Sequence, residues 1–297
     1  MIFLAATIAL IPGLTAVDVK VEKIDYHGWS DCYQISNGTV EVVVVPKIGR
    51  VMRYGYPSGP NMLWENPELA GKAHTPGEWS NFGGDKVWPA PQSDWTWPPD
   101  PTIDGMPWEV EVLPDGVRMT SMDGKFSHVK FMREIHLGAV GTEVNFHTRM
   151  DNTGSARSLA PWQITQIDNP YSIFLPTQTT SQMPDGWRLL TGSKIDPKYH
   201  KLSAGGLTLS MANTSYKFGA FSPLGEITAS KGNAIFHMKT KTYQRANYPD
   251  KGSALEVYTG AGNEKYAELE VLAPLTKMQN GEGAILDVTW SLTQAHS

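Results

Sequence analysis

The 297-residue sequence predicts an all-β fold of mainly antiparallel strands. Short runs of β-branched and aromatic residues recur along the chain, separated by Gly, Pro, Asn and Asp, which is the pattern of strands joined by turns. No window of about a dozen residues keeps a helical period of apolar positions. Because no linker or low-complexity tract divides the chain, we expect a single β-sandwich domain over residues 17–297.

The N-terminal segment predicts export from the cytoplasm. Residues 1–16, MIFLAATIALIPGLTA, are mostly apolar, end in small residues and are followed by the polar VDVKVEK, as in a secretory signal peptide. The apolar run is short for a membrane span and is interrupted by Pro12 and Gly13. We therefore expect a periplasmic or secreted protein with no membrane span in its mature chain. A buried first strand or helix is the alternative.

Composition and motifs exclude several classes of protein. The net charge is −5 and no basic stripe is visible, so no nucleic-acid partner is expected. The eight histidines do not lie at zinc-ligand spacing with Cys, Asp or Glu, and no phosphate or dinucleotide fingerprint is present. We therefore expect neither a metal nor a cofactor, and the sequence leaves the oligomeric state open. The single Cys32 cannot form an intramolecular disulfide and is predicted to be a small buried residue.

The predicted strands begin with a hairpin. Tyr33–Ile35 leads through the turn Ser36-Asn37-Gly38 into Thr39–Val45, which is rich in valine. Phe131–Leu137 and Glu143–Met150 alternate apolar and polar residues, as half-buried antiparallel strands do. The same style of sequence predicts further strands at Val51–Tyr54, Trp108–Leu113, Val117–Thr120, Leu207–Met211, Lys217–Phe221, Ala234–Lys239, Ala254–Tyr258, Ala267–Leu272 and Ala284–Leu292.

The longest irregular region is predicted at Asn66–Pro107 and contains the stretch NFGGDKVWPAPQSD followed by WTWPPDP. A loop of this length in a compact domain is usually functional. Indole rings can stack on the apolar faces of sugars, and neighbouring polar side chains can bind the hydroxyls. The alternative is a proline-stiffened loop held by buried tryptophans. The residues concerned are Trp79, Trp88, Trp95, Trp97 and Trp108, with Asn81, Asp85, Lys86, Gln92 and Asp94.

A pair of glutamates is a second candidate site for acid–base catalysis. Glu268 and Glu270 lie two residues apart in the predicted strand Ala267–Leu272, so they project from the same face. If that face lines a concave sheet, burial and mutual repulsion raise the pKa of one carboxyl towards a useful acid–base range. If it faces solvent, the two are ordinary surface charges. Glu256, on the preceding strand, could join them across a hairpin.

The order of four segments resembles the galactose-mutarotase-like superfamily, a large β-supersandwich of aldose epimerases and sugar-binding relatives. The GGDKVWPAPQ form is closest to a bacterial family of that superfamily that has no assigned activity. Together the segments span nearly all of the mature chain. They are PKIGRV from Pro46 with NMLW from Asn61; NFGGDKVW from Asn81; DNTG from Asp151 with APWQITQ from Ala160; and YAELEVLAPL from Tyr266 through Gly281-Glu282 to Trp290.

The resemblance implies roles for individual residues. In mutarotases a carboxylate removes the proton of the anomeric hydroxyl, a histidine protonates the ring oxygen, and an arginine holds hydroxyls. This implies Glu268 or Glu270 as the base and Arg50 as a clamp for hydroxyl or carboxylate groups. The position of the catalytic histidine reads Pro161-Trp162-Gln163, so Asp85, Lys86 or a histidine from elsewhere in the chain would have to donate the proton. The remaining expected sugar contacts are Asn81, Lys86, Trp88, Trp162, Gln163 and Glu256.

Two functions remain open at this stage. The first is an exported carbohydrate-active protein of the aldose 1-epimerase type, which binds a sugar or sugar acid in a concave β-sheet cleft and interconverts its anomers. The second is a non-catalytic glycan-binding domain. A polysaccharide lyase or hydrolase is less favoured because the sequence shows no recognisable set of acid and base residues for either reaction. For either function we expect Arg50, Asp85, Lys86, Trp162 and at least one of the paired glutamates on one face.

Overall fold

The structure is a computed structural model that describes residues 18–212, 214–260 and 265–294. The predicted signal peptide, residues 1–16, lies outside the described residues. Within the described ranges no helix has both the length and the apolar character that crossing a membrane requires.

Strands are the dominant secondary structure of the described chain. They are β1 Lys20–Tyr26, β2 Trp29–Ser36, β3 Glu41–Val45, β4 Arg50–Gly55, β5 Asp85–Ala90, β6 Glu109–Leu113, β7 Gly116–Thr120, β8 Val129–Leu137, β9 Val144–Asn152, β10 Arg157–Asp168, β11 Ser172–Pro176, β12 Trp187–Thr191, β13 His200–Ser203, β14 Gly206–Leu209, β15 Tyr216–Ala220, β16 Glu226–Lys231, β17 Ala234–Thr240, β18 Leu255–Thr259, β19 Tyr266–Leu272, β20 Thr276–Met278 and β21 Gly283–Gln294. Short helical turns lie at Pro46–Ile48, Pro67–Leu69, Gln92–Asp94 and Pro249–Gly252.

Two antiparallel sheets form the molecule, as the sequence predicted. The first sheet has the order β1-β2-β3-β4-β5-β10-β19-β18-β15-β12, with β20 paired to the start of β10. The second has the order β13-β14-β11-β16-β17-β21-β9-β8-β7-β6. Strands from both halves of the chain meet in the middle of the first sheet, where β10 lies between β5 and β19.

Aromatic side chains fill the space between the sheets. The Trp290 ring lies 4.4 Å from Phe146, 5.4 Å from Phe236 and 5.5 Å from Tyr54, measured between ring centres. Fully burying side chains of this size stabilises a fold by about 1.5–3 kcal/mol each. Cys32 is also fully buried, as predicted, in a smaller cluster with Trp29 and Phe82.

One part of the predicted irregular region is a strand. Asp85–Ala90 forms β5, and all six of its residues are buried, so the alternation that marks a half-buried strand is absent. Pro89 is unusual in a central strand because proline has no N–H to donate to the ladder of hydrogen bonds. The proline fits here because β4 pairs with β5 only at Asp85, which leaves the edge at Pro89 without a strand on that side.

Candidate functional site

A cleft lies on the face of the first sheet that points away from the second sheet. The strand register places Lys86, Ile164, Glu270 and Glu256 side by side across β5, β10, β19 and β18. The cleft has a volume of about 280 Å³ and lies between this face and the tryptophan-rich loop. Its lining residues are Trp79, Trp88, Gln92, Trp97, Trp162, Thr191, Lys217, Tyr258, Tyr266, Glu268 and Glu270.

Glu268 is held by two donors within the cleft. The Lys86 ammonium lies 2.9 Å from Glu268 Oε1, and the Gln166 side-chain amide donates to the same oxygen at 2.9 Å. Lys86 itself is buried and lies 4.9 Å from the centre of the Trp88 ring. The Glu268 side chain remains 13% exposed, so this carboxylate is fixed in orientation and still accessible to a small ligand.

A second charged cluster lies beside the first. Lys217 Nζ is 2.6 Å from Glu256 Oε2 and 2.9 Å from Glu270 Oε2, and both glutamate side chains are fully buried. Burial raises the pKa of Glu270 to about 7 even though the Lys217 charge lowers it. Burial also raises the pKa of Glu256 well above its ordinary value. Burial disfavours the charge of Lys217, but the two carboxylates outweigh burial and raise its pKa.

Lys217 carries no recognised motif, and sequence reasoning assigned it only to a strand. Its neighbours Tyr216 and Phe218 are buried, so Lys217 lies on the opposite face of β15 from them. A lysine between two aromatic residues of a strand does not by itself indicate a polar cleft. It does so only when the face of the strand that borders the cleft is known. That side is set by pairing with β18, which is distant in sequence.

Tryptophans form the walls of the cleft. Trp88 lies 5.4 Å from Trp162 and 6.0 Å from Trp97, and Trp97 lies 4.7 Å from Trp79, between ring centres. Trp88 and Trp162 are buried, yet among the described residues neither indole N–H has a hydrogen-bond partner. Both N–H atoms are covered by protein, as are those of the core residues Trp108 and Trp290, so they are not exposed to a ligand in the cleft. Trp97 is 53% exposed at the mouth of the cleft.

Arg50 does not reach the cleft. Its guanidinium donates to Asp104 Oδ1 at 2.6 Å and to the Gly83 carbonyl at 3.1 Å, and its side chain is 1% exposed. Asp104 in turn accepts from the Trp79 indole N–H at 3.1 Å. Arg50 therefore lies behind a wall residue of the cleft and not on its surface.

Asp85 and Gln163 point into the core between the sheets. Asp85 contacts Arg133 of the second sheet at 2.7 Å and accepts from Gln163 at 2.9 Å and from Thr165 at 2.7 Å. Because successive strand residues face opposite sides, Asp85 is turned away from the cleft where Lys86 is turned towards it. Asn81 donates to the Tyr266 hydroxyl at 3.1 Å and so supports the cleft wall from behind.

Of the residues chosen from sequence, the structure brings together Lys86, Trp88, Trp162, Glu268 and Glu270. Glu256 joins them through Lys217, below the surface of the cleft. The structure does not bring Arg50, Asp85 or Gln163 to the cleft, because their side chains are used inside the protein.

A larger cavity of about 700 Å³ lies on the other side of Trp79, under the proline-rich loop. Its lining includes Trp95, Phe126 and the carboxylates of Asp100 and Asp104. Asp100 accepts from the backbone N–H groups of Phe126 and Ser127, and Asp104 is paired with Arg50. These two carboxylates are used inside the protein, and the cavity is also lined by His74, Glu78 and Asp94. The pair of glutamates on one strand face lies in the smaller cleft.

Comparisons with known proteins identify the fold through structure and not through sequence. No protein-family model and no curated protein matches the sequence. A candidate mutarotase from Salmonella typhimurium superposes with a TM-score of 0.60 at 9% identity, covering 98% of this chain and 97% of that one. A candidate aldose 1-epimerase from Escherichia coli K12 gives 0.57 at 11%, covering 89% and 99%. A galactose 1-epimerase from Lactobacillus acidophilus gives 0.51 at 11%, covering 94% and 100%.

Proposed function

We propose that this chain, which has the galactose-mutarotase-like β-sandwich fold, binds a single neutral sugar ring in the cleft and interconverts its anomers. One observation carries the proposal. Trp88 and Trp162 line the same small cleft as Glu268 and Glu270. A sugar supplies apolar C–H faces for the indole rings and hydroxyl groups for the polar side chains.

The size of the cleft favours one sugar ring. Ligand pockets for small molecules are generally about 300–1,000 Å³. The cleft, at about 280 Å³, is at the lower end of that range and is too small for an oligosaccharide enclosed as a whole. Trp97 at the mouth can cover an exposed face of the bound ring.

The charges of the cleft favour a neutral ligand over a sugar acid. Lys217 lines the cleft and already contacts Glu256 and Glu270, and Lys86, which is buried beside it, already contacts Glu268. An anionic substituent would have to displace one of these carboxylates from its ammonium. Breaking a buried ion pair in this way is costly because the displaced charge stays buried without a partner.

The carboxylates can divide the chemistry between them. Glu268 would remove the proton of the anomeric hydroxyl, while Glu270, with its pKa raised to about 7, would give a proton to the ring oxygen as the bond from that oxygen to the anomeric carbon breaks. Rotation about the adjacent carbon–carbon bond and the reverse transfers give the other anomer. The two residues are about 7 Å apart along β19, which allows them to approach one ring from neighbouring positions.

Replacing Glu268 by Gln tests the proposal. The isosteric Glu268→Gln change keeps an acceptor in the cleft and removes the base, so the rate of anomer exchange should fall by about 10²–10⁴. Exchange NMR on a panel of neutral aldoses measures the rate, and the same samples give the sugar affinity, which should change little. Glu22→Gln, at an exposed position of β1, is the matched control and should exchange as the unmodified protein does.

A glycan-binding domain without turnover is the second candidate function. The observation in its favour is that no histidine lies among the described lining residues of the cleft, while Glu270 is fully covered. In this case Trp88→Ala should abolish saturable sugar binding, and Glu268→Gln and Glu270→Gln should both retain it. Saturable binding with no exchange of any aldose tested would decide for this function and against anomer interconversion.

We also propose that the protein acts in the periplasm or outside the cell. The support is the apolar segment 1–16 followed by the polar VDVKVEK. N-terminal sequencing of the mature protein should find its first residue close to Val17, and a mature chain that begins at Met1 would contradict export.

A further inference from the structure

Glu256, Lys217 and Glu270, at the floor of the cleft, carry two carboxyl groups and one ammonium group. Glu256 and Glu270 are direct cross-strand partners on β18 and β19, where like charges oppose each other. Both side chains are fully buried, and both contact the same ammonium, that of Lys217. Cross-strand pairing and burial thus force two carboxylates to share one cation.

We propose that Glu256, Lys217 and Glu270 form a proton-sharing unit that holds one carboxyl proton at neutral pH, with Glu256 as the positioning residue that makes this proton available to Glu270. The catalytic consequence rests on the proposed function, but the shared proton does not. Glu256 lies outside the cleft lining, whereas Glu270 is part of it, so Glu270 is the member that can transfer a proton to a ligand.

Charge counting supports the shared proton. One ammonium neutralises one carboxylate, and the second would remain as an uncompensated buried charge, which proteins avoid by protonation. The other charged groups that face the unit do not supply the missing cation. Lys86 is paired with Glu268, and Asp250, from the turn Pro249–Gly252, adds a further negative charge near Glu256.

The pKa directions agree with the charge count. Burial and the neighbouring carboxylates raise the pKa of both Glu256 and Glu270, and the Lys217 charge opposes this without cancelling it. Two groups coupled this closely titrate as a pair, so the proton belongs to the unit and not to one residue. The unit therefore holds the proton that Glu270 gives to the ring oxygen, and ring closure returns that proton to it.

A titration of the carboxyl groups tests the unit without any sugar. In protein labelled with carbon-13 at the glutamate side-chain carboxyl, NMR should show one protonated glutamate at about pH 7, far above the ordinary pKa of the residue. In Glu256→Gln that protonated carboxyl should be lost at the same pH, because Lys217 then has a single carboxylate to neutralise. Glu22→Gln should titrate as the unmodified protein does.

The rate of anomer exchange adds a second readout. The pH at which the rate falls on the alkaline side should move down by at least about one unit in Glu256→Gln, a shift that a purely structural role would not produce. Absence of a protonated glutamate at about pH 7 in the unmodified protein overturns the inference, whether or not the variant folds. An unchanged titration in Glu256→Gln overturns it too. Failure of every sugar to exchange rejects the proposed function alone.

Discussion

At the scale of single residues, buried charge determines how the molecule responds to pH. Glu256 and Glu270 have raised pKa values in the folded state, chiefly because both are buried. The folded protein therefore binds more protons than the unfolded chain above the ordinary glutamate pKa of 4.5. The pKa of Lys217 is also raised, so its contribution is lost only above its ordinary value of 10.5, outside the acidic and neutral range.

The sign of the stability change follows from linkage. The stabilising effect of the protonated glutamates is complete below about pH 4.5 and is lost as the pH rises through about 7, so the free energy of unfolding should fall over this interval. For Glu270 alone the loss is at most about 3 kcal/mol. Urea unfolding at a series of pH values measures it. Glu270→Gln should flatten the decline, and an equally steep decline in that variant would contradict the assignment.

Arg50 should prove structural when it is replaced. Arg50→Met leaves the buried Asp104 without its cation, which should lower the free energy of unfolding by about 3–5 kcal/mol. Sugar affinity of the folded fraction should change little, because Arg50 lies behind Trp79. Arg118→Met is the control, since Arg118 is in an exposed cluster whose removal costs about 1 kcal/mol or less. A loss of affinity with no loss of stability would favour direct contact with the sugar.

At the scale of elements, β8 and β9, each with one partly solvated face, were predictable, and β5 and β10 in the middle of the first sheet were not. β8 and β9 alternate buried and half-exposed residues, and the sequence predicted both. β10 has nine consecutive buried residues from Leu159 to Ile167, so it shows no period of two, and β5 was taken as loop. The sequence predicted neither strand. They supply Trp88 and Trp162 to the lining of the cleft, and Lys86 to the contact with Glu268.

Gly84 should be essential to the start of β5. Its φ is +72°, and a Cβ there would collide with the Val51 carbonyl oxygen. Gly84→Ala should therefore lower the free energy of unfolding by about 3 kcal/mol or more. Gly38 has a similar φ of +79° but open space around it, so Gly38→Ala should cost only about 1 kcal/mol. Denaturant unfolding compares the two, and equal costs would mean that backbone strain alone, and not the close approach to β4, is important.

At the scale of the whole molecule, a fully buried ion pair links the two sheets. Asp85 of β5 contacts Arg133 of β8 at 2.7 Å, and both side chains are buried. Asp85→Asn should lower the free energy of unfolding by about 3–5 kcal/mol, because Arg133 would keep its charge without a carboxylate. Asp287→Asn, at an exposed His147 contact, is the control and should have little effect. Catalytic loss in Asp85→Asn at full stability would instead favour a direct role for this carboxylate.

Segment order predicted the fold of the whole molecule because turn and strand signals are local in sequence. The site could be predicted only in part, because its geometry depends on pairing between distant strands. The i, i+2 spacing of Glu268 and Glu270 correctly gave one shared face. No local pattern in the sequence indicated that Lys217 would contact Glu270. None indicated which of Asp85 and Lys86 would face the core and which would contact Glu268.

Trp79 is shared by two chambers of the molecule. It lines both the 280 Å³ cleft and the 700 Å³ cavity, and its indole N–H donates to Asp104. A guest that pushes this ring aside in one chamber must reshape the other. Thermodynamic reciprocity then requires that occupancy of either chamber alter affinity in its neighbour by the same factor.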